Sequence, residues 1–159
     1  MATAIFLKLD DVESECVIKD QDGKLALDSY SYGVTQAGTS HVATGSTQAI
    51  SSFSDMSCTM IPDKSAVTLF QFCATGKHIG KGKLTQLKSA GDGTVDFVVI
   101  EMEDIVISSF QYSGTDEHVM INFSLNYGTL KVAIAQQAKK GSKGAAPEFK
   151  YNIAKGSPA

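Results

Sequence analysis

The three histidines are the side chains in this sequence best suited to proton transfer or metal binding. His41 lies in a stretch rich in glycine, serine and threonine, His78 follows the end of a predicted helix, and His118 precedes a predicted strand. None has a partner at the spacing of zinc ligands, and neither a GxSxG elbow nor a Walker A loop occurs. We therefore expect no catalytic residue, metal site or cofactor. An enzyme stays open as an alternative, because the members of a catalytic triad need not be close in sequence.

Two other groups of side chains could do chemistry, and neither has a favourable pattern. Asp10 and Asp11 are adjacent, and neighbouring residues of a strand point to opposite faces, so they make a poor acid–base pair. Cys16, Cys58 and Cys73 are odd in number and form no CxxC motif. This pattern predicts three reduced thiols rather than a disulfide framework or a zinc site.

Charge and hydropathy limit the partners and the location. The net charge of −3 gives no reason to expect nucleic acid or an anionic membrane as a partner. The one basic run, Lys139–Lys140 with Lys143, lies among glycines and reads as a solvated loop. The N-terminus lacks the basic start and long apolar core of a secretory signal, and no apolar stretch is long enough for a membrane span. We expect a protein made in the cytoplasm, which would need another route to leave the cell.

One short helix is predicted in residues 63–78, DKSAVTLFQFCATGKH. Asp63 is placed to cap its start, and Gly76 is placed to end it, since glycine tolerates a left-handed backbone. Four apolar residues at positions i, i+3, i+4 and i+7 form the predicted buried stripe: Ala66, Leu69, Phe70 and Cys73. Such a helix can cover one side of a β core.

The predicted long strands share a change of phase. In each strand the apolar residues first occupy only even-numbered or only odd-numbered positions and then change to the other set. Val98, Ile100 and Met102 are followed by Ile105 and Ile107, and Leu25 and Leu27 are followed by Tyr30 and Tyr32. The odd-numbered series from Val119 to Tyr127 is followed by Leu130, Val132 and Ile134. One extra residue moves the apolar set to the opposite face, and a β-bulge supplies such a residue. The candidate bulges are Gly128, Asp28 and Glu103–Asp104.

Long strands that bend and switch faces form the corners of orthogonally packed sheets. The sequence therefore predicts a mainly β fold: a compact β-barrel of two packed antiparallel sheets with one short helix on the outside. We expect a single domain over residues 1–159, with a first strand at Ile5–Leu9 and a last strand at Phe149–Ile153. A long loop is predicted over residues 35–52 and a flexible C-terminal tail over residues 155–159.

Several segments, taken in their order, carry a resemblance that covers nearly the whole chain. The chain resembles the Hcp family, the haemolysin-coregulated proteins that form the inner tube of the type VI secretion system. Tyr30 and Tyr32 stand where many members have tryptophan. The segments are IFLKLDDVESE (5–15), YSYG (30–33), GTSH (38–41), ATGKHIGKGKLTQLKSAG (74–91), EDIVISSFQYSG (103–114) and FSLNYG (123–128).

The resemblance implies a structural and transport role. It implies a homohexameric ring, stacking of rings into a tube, a spike protein at the tube tip and a contractile sheath around it. It also implies that secreted effectors are carried in the lumen, with no nucleic-acid partner and no membrane insertion. The subunit would be cytoplasmic before assembly and then secreted by the type VI route without a signal peptide.

Strand alternation supplies candidate residues for these contacts. If the tyrosines at 30 and 32 and the apolar residues at 123 and 125 face the core, the small polar residues between them face away. These are candidates for a surface that faces the lumen and the effectors, although an ordinary solvent-exposed face has the same pattern. The candidates are Ser29, Ser31, Asn122 and Ser124, and the candidate ring-stacking loop holds Gly38, Thr39, Ser40, His41 and Gly45.

Two non-enzymatic alternatives fit part of this pattern. A tail-tube protein of a phage or of another contractile injection device would rely on the same physics. A small-ligand-binding β-barrel would instead hold an enclosed apolar pocket within one protomer in place of a packed core.

Overall fold

The computed structural model describes residues 4–18, 21–36, 51–90, 93–135 and 147–158. One helix, α1, spans Ser65–Thr75. The strands are β1 (Ala4–Leu9), β2 (Leu25–Leu27), β3 (Ser29–Ser31), β4 (Val34–Thr35), β5 (Ser52–Phe53), β6 (Met56–Met60), β7 (His78–Ala90), β8 (Gly93–Gly114), β9 (Val119–Ile134), β10 (Glu148–Asn152) and β11 (Ser157–Pro158). The first strand and the strand predicted at Phe149–Ile153 are confirmed within one residue at each end. The predicted helix is confirmed, and it ends just before Gly76.

All strand pairs are antiparallel, and nine strands belong to one sheet that folds over on itself. Its order is β2–β1–β7–β8–β9–β10–β11, with β6 also paired to β9 and β3 paired to β6. The first half of β9 pairs with β6, and its second half pairs with β10. Asp28 alone separates β2 from β3, so the chain links the two parts of the sheet there. The predicted mainly β fold with one short helix outside is confirmed, and the two predicted antiparallel layers belong to this one folded sheet.

The sheet bends along one row of neighbouring residues, which we call the bend row. Its members are Asp11, Gly80, Asp104 and Gly128. Asp104 lies opposite Gly80 in the β7–β8 register and opposite Gly128 in the β8–β9 register, and the backbone N–H of Asp10 donates to the carbonyl of Lys81. The buried residues change parity across the row: Leu7 and Leu9 precede Val12, Ile79 precedes Gly82 and Leu84, Met102 precedes Ile105, and Tyr127 precedes Leu130. The buried side chains therefore lie on one face of each strand before the bend row and on the opposite face after it.

The predicted phase changes are real, but the predicted cause is wrong at Glu103–Asp104 and Gly128. Glu103 pairs with Thr129 and Ile105 with Tyr127, so the register is the same on both sides. The two strands change face together rather than by one extra residue in one of them. Asp104 adopts a left-handed backbone (φ 54°), and a Cβ on Gly128 would lie only 3.1 Å from the Cβ of Asp104.

Two register shifts lie elsewhere, and the sequence did not indicate them. One falls between Gln86 and Leu87 in the β7–β8 pair, and the other between Ile107 and Ser109 in the β8–β9 pair. At the third predicted position, Asp28, the chain leaves β2 and enters β3, and the backbone N–H of Asp28 donates to the carbonyl of Thr59 (2.8 Å). This break carries the chain from one partner strand to another, as corners of folded sheets do.

Helix α1 covers the core near β8, and its C-terminal end follows the predicted rule. The N-cap position falls on Lys64, which makes no side-chain capping hydrogen bond, rather than on Asp63. Gly76 takes a left-handed conformation (φ 67°) at its C-terminus. Asp63 accepts hydrogen bonds from the backbone N–H (2.8 Å) and the hydroxyl of Ser65 at its start, and from the hydroxyl of Ser14 (2.6 Å). Burial by itself would raise the pKa of the Asp63 carboxyl, but these hydrogen bonds hold the pKa below its usual value. Asp63 therefore fastens the N-terminal segment to the helix.

The predicted buried stripe of α1 was wrong in one member. Ala66 and Leu69 are buried, and Cys73 packs partly against the core. Phe70 is 53% exposed, and Phe72 is buried in its place. The helix is turned toward its Phe72 side, a rotation that apolar spacing alone does not fix.

Two segments that were predicted to be irregular contain short paired strands. The predicted loop over residues 35–52 is entered through β4 and left through β5, which pair with each other, and residues 37–50 lie outside the described residues. Where we expected a flexible tail from residue 155, Ser157 and Pro158 form β11 against β10.

Leu69→Asp should unfold the protomer, because Leu69 has no exposed surface and an unpaired charge cannot be buried there cheaply. The expected loss is comparable with the whole stability of a domain of this size, about 5–15 kcal/mol. Circular dichroism and thermal unfolding measure the result, with Gln71→Asp on the exposed side of α1 as the matched control. A soluble Leu69→Asp variant with the melting temperature of the control would contradict the assigned helix face.

Asp104→Val should destabilise the protein by about 1–3 kcal/mol, because a β-branched residue is strained in a left-handed backbone. Asp104→Gly should be tolerated, since glycine adopts that conformation freely. Urea unfolding measures both, and Glu103→Val serves as the control on the exposed neighbouring residue. Equal stability of the two valine variants would show that the bend row does not constrain Asp104.

Candidate functional site

The four small polar residues predicted to share a surface lie on one face of the folded sheet. Beyond the bend row, β3, β6, the first half of β9 and the second half of β8 form what we call the polar wall. The outward side chains of this wall form its neutral face, in two rows that run directly across the strands. The rows are Ser29–Thr59–Asn122–Gln111 and Ser31–Ser57–Ser124–Ser109.

Hydrogen bonds join the neutral face across its strands. Thr59 donates its hydroxyl to the Asn122 side-chain oxygen (3.0 Å), and the Ser109 and Ser124 hydroxyls lie 2.6 Å apart. Because each side chain carries both a donor and an acceptor or can rotate to present either, the face can bond to varied partners. Asn122 and Ser109 stay exposed, so these groups are accessible from outside the protomer.

Asp55 closes one end of the neutral face. Its carboxylate accepts from the Asn126 amide (2.9 Å) on β9 and from the Ser108 hydroxyl (2.7 Å) on β8. The extra residue in the β8 register shift is Ser108, so the shift brings its hydroxyl to this carboxylate. The Asp55 carboxylate therefore ties the turn before β6 to both long strands.

Tyr127 lies beneath this end of the polar wall. Its hydroxyl donates to the carbonyl of Ser54 (2.8 Å) and its side chain is buried. Burial, then the nearby charges of Asp55 and Tyr32, raise the pKa of Tyr127 to about 12. The neutral phenol is thus part of the packed structure.

The other wall has a different outer chemistry. It consists of β1, β7, the first half of β8, the second half of β9 and β10, and we call it the charged wall. Lys131 lies 3.1 Å from a Glu148 oxygen and 3.8 Å from a Glu101 oxygen. The hydrogen bond to Glu148 and the charges of both glutamates raise the pKa of Lys131. One row across this wall reads Lys8–Lys83–Glu101–Lys131–Lys150.

The titratable groups considered from the sequence are spread over several elements of the described structure. His78 begins β7 and His118 lies just before β9, both exposed, and His41 lies outside the described residues. Asp10 accepts from the backbone N–H of Lys81 (3.1 Å), whereas Asp11 faces Lys77 (3.6 Å). No cluster of three His, Cys, Asp or Glu side chains suited to a metal ion is found in the described part of the chain.

The three cysteines form no disulfide with one another. All three are free thiols. Cys58 is buried in the core, and burial raises its pKa to about 12. Since the thiolate is the nucleophile, this thiol is held in its unreactive form.

An apolar groove opens at the surface beside β3. Its volume is about 300 Å³, and its lining is almost entirely apolar. Val34 and Phe149 in the lining are each 56% exposed, so the groove faces outward rather than into the core. We call this the apolar groove; it is lined by Tyr32, Gly33, Val34, Ser51, Phe53, Leu130, Val132, Phe149 and Tyr151.

The structure unites the predicted residues of the polar face and adds others. Ser29, Ser31, Asn122 and Ser124 lie in the two rows of the neutral face, as strand alternation suggested. The remaining members of the rows were missed, because their place depends on which strands pair: Ser57, Thr59, Ser109 and Gln111. The loop candidates Gly38, Thr39, Ser40, His41 and Gly45 lie outside the described residues. No described helix is long and apolar enough to span a membrane.

Comparison with known proteins gives a consistent match over most of the chain. The family model described as "Type VI secretion system effector, Hcp" matches residues 6–134. A curated relative, Protein hcp1 of Pseudomonas aeruginosa, is 29% identical over 156 residues, which is 96% of each chain.

Solved structures share the fold at low sequence identity. A crystal structure of Hcp1 from Salmonella typhimurium matches with a TM-score of 0.83 and 21% identity over 100% of both chains. A structure described as a type six secretion system protein matches with a TM-score of 0.89 and 17% identity, over 99% of this chain and 100% of that one.

Between pH 10 and pH 12 the wild-type protein should lose stability that Tyr127→Phe does not lose. The raised pKa of Tyr127 means that the folded state favours the neutral phenol, so this contribution is complete below the unfolded value of 10.0 and disappears as the pH rises toward about 12. Thermal unfolding against pH measures the difference, with Tyr112→Phe at an exposed tyrosine as the control. Parallel pH profiles for wild type and Tyr127→Phe would contradict this role.

Proposed function

This chain belongs to the Hcp family of the type VI secretion system, whose members are tube proteins, and from that premise we propose how its own surfaces serve the tube. Six copies close into a ring, and rings stack into the tube. The neutral face of each copy lines the lumen, and the charged wall faces outward. The observation that carries this proposal is the contrast between the two walls of one folded sheet.

The neutral face suits a lumen that must carry different proteins. Exchange of water for protein at small hydroxyl and amide groups changes the free energy little, because each lost hydrogen bond is replaced. A face of serine, threonine, asparagine and glutamine can therefore bind proteins that differ in charge pattern and in apolar shape. The two rows of this face span four strands, from Ser29 to Gln111 and from Ser31 to Ser109.

The charged wall suits an outer surface. Its lysines and glutamates keep a sheet face solvated, and they can form ion pairs with an opposing charged partner. On the tube, the partner that surrounds this surface is the contractile sheath. Lys131, placed between Glu101 and Glu148, shows how such charges are already paired within the wall.

The remaining contacts extend the same proposal. Secreted effectors occupy the lumen, a spike protein sits at the tube tip, and Gly38, Thr39, Ser40, His41 and Gly45 contact the adjacent ring. The subunit assembles in the cytoplasm and leaves the cell by the type VI route. The role is mechanical rather than enzymatic, which fits the separate structural bonds of Asp10 and Asp11 and the raised pKa of Cys58.

Ser31→Arg should lower effector retention several-fold while the rings and their thermal stability stay as in the wild type. An arginine in the middle of the neutral face places bulk and charge in the lumen without disturbing the core, because Ser31 is exposed. Effectors that copurify with tagged rings from host cells, quantified by mass spectrometry, give the readout. Ser89→Arg, an exposed serine of β7 on the other wall, is the control. Unchanged retention in Ser31→Arg would contradict the lumen assignment.

A further inference from the structure

An exposed aromatic surface lies at one edge of the polar wall, on the side opposite the neutral face. The rings of Phe70 on α1 and of Phe110 and Tyr112 on β8 are in mutual contact, with centroids 5.0 to 6.2 Å apart. Phe70 is 53% exposed and Tyr112 is 47% exposed. Val67, three residues before Phe70 on the helix, is 68% exposed and extends the surface. We call these four residues the aromatic ridge.

The apolar groove lies at the opposite edge of the same wall, also on the side opposite the neutral face. Within the described residues, β3 pairs only with β6, and β8 beyond Ile107 pairs only with β9, so these two strands are the edges of the polar wall. Tyr32 of the groove follows directly after β3, and Val34 of the groove begins β4. The ridge and the groove are therefore separated by the width of four strands, roughly 14 Å from edge strand to edge strand.

Both surfaces lie on the reverse of the neutral face. Phe110 and Tyr112 alternate along β8 with Ser109 and Gln111, which belong to the neutral face. On the other edge, the inward side chains of Tyr30 and Tyr32 pack against the core while Ser31 points outward. A contact between ridge and groove would thus join two protomers behind their polar walls and leave the neutral faces side by side.

We propose that the aromatic ridge of one copy docks in the apolar groove of the next copy, and that this head-to-tail contact closes the ring. The proposal rests on the proposed function, since it names the surfaces by which the chain assembles with itself. Exposed apolar patches on soluble proteins commonly mark interaction sites, and aromatic side chains dominate such contacts.

The occupant of the groove is a second copy because the chain itself supplies the complementary surface. The groove is lined by stacked or tilted rings, with Phe53 and Tyr151 centroids 5.0 Å apart and Phe149 and Tyr151 centroids 6.1 Å apart. The ridge presents rings that fit between them by offset or edge contacts. Since the two surfaces differ, the contact is heterologous. Every ridge and every groove is therefore occupied only when the series of protomers closes into a ring.

The test uses two variants that each lose one surface. Phe70→Asp removes the ridge and keeps the groove, and Phe149→Asp removes the groove and keeps the ridge. Both side chains are more than half exposed, so the protomer should stay folded by circular dichroism. Val17→Asp, at an apolar residue that is 86% exposed and outside both surfaces, is the matched control. Native mass spectrometry and sedimentation velocity give the oligomeric state of the full chain.

The expected results are specific to a head-to-tail contact. Wild type and Val17→Asp form rings, and each of the other two variants alone is monomeric. A mixture of Phe70→Asp and Phe149→Asp at high concentration forms a dimer with one copy of each and nothing larger, because only one intact ridge meets one intact groove.

Other outcomes separate the two levels of the proposal. Rings in both single variants overturn the docking surfaces while the proposed tube function stands. A mixture that remains monomeric, or a homodimer of either variant alone, overturns the head-to-tail pairing. A wild-type protein that forms no ring overturns the proposed function, and with it the basis of this contact.

Discussion

The bend row allows one sheet to enclose its own core. Without it, β8 and β9 would continue in one plane, and a sheet with one buried face could not enclose its own core. Asp104 takes a left-handed backbone and Gly128 leaves room for it, so both strands turn at one level without losing their register. A pair of strands that changes face together keeps its register on both sides of the turn and still moves its apolar residues to the inside of the fold.

The bend also separates two kinds of surface. Before it, the outward residues of β8 include Glu101 and Glu103, and beyond it they include Ser109 and Gln111. One strand therefore contributes to a charged outer surface and to a neutral one. The proposed tube role uses both surfaces, because it places the cargo against one and the sheath against the other. The ridge and the groove then lie behind the two edges of the neutral face, where neighbouring subunits would meet.

Sequence reasoning predicted the features that depend on local alternation and missed those that depend on pairing. The end of α1 at Gly76 and the phase change around Asp104 follow from residue type and parity, and both are confirmed. Parity shows that a face changes but not how the partner strand responds, so the bulge at Gly128 was wrong and the shift at Ser108 was missed. For the same reason Ser31 and Ser124 were identified, whereas Ser57, which lies between them, was not.

In the proposed tube, the neutral face of each protomer looks into the lumen of the assembled ring. A cryo-electron microscopy reconstruction of rings formed by the purified full chain tests it most directly, because the direction in which each wall faces can be read from the density. We expect Ser31, Ser57 and Ser124 on the inner surface of the ring and Lys83, Glu101 and Lys131 on the outer surface. A ring whose lumen is lined by the charged wall would contradict it.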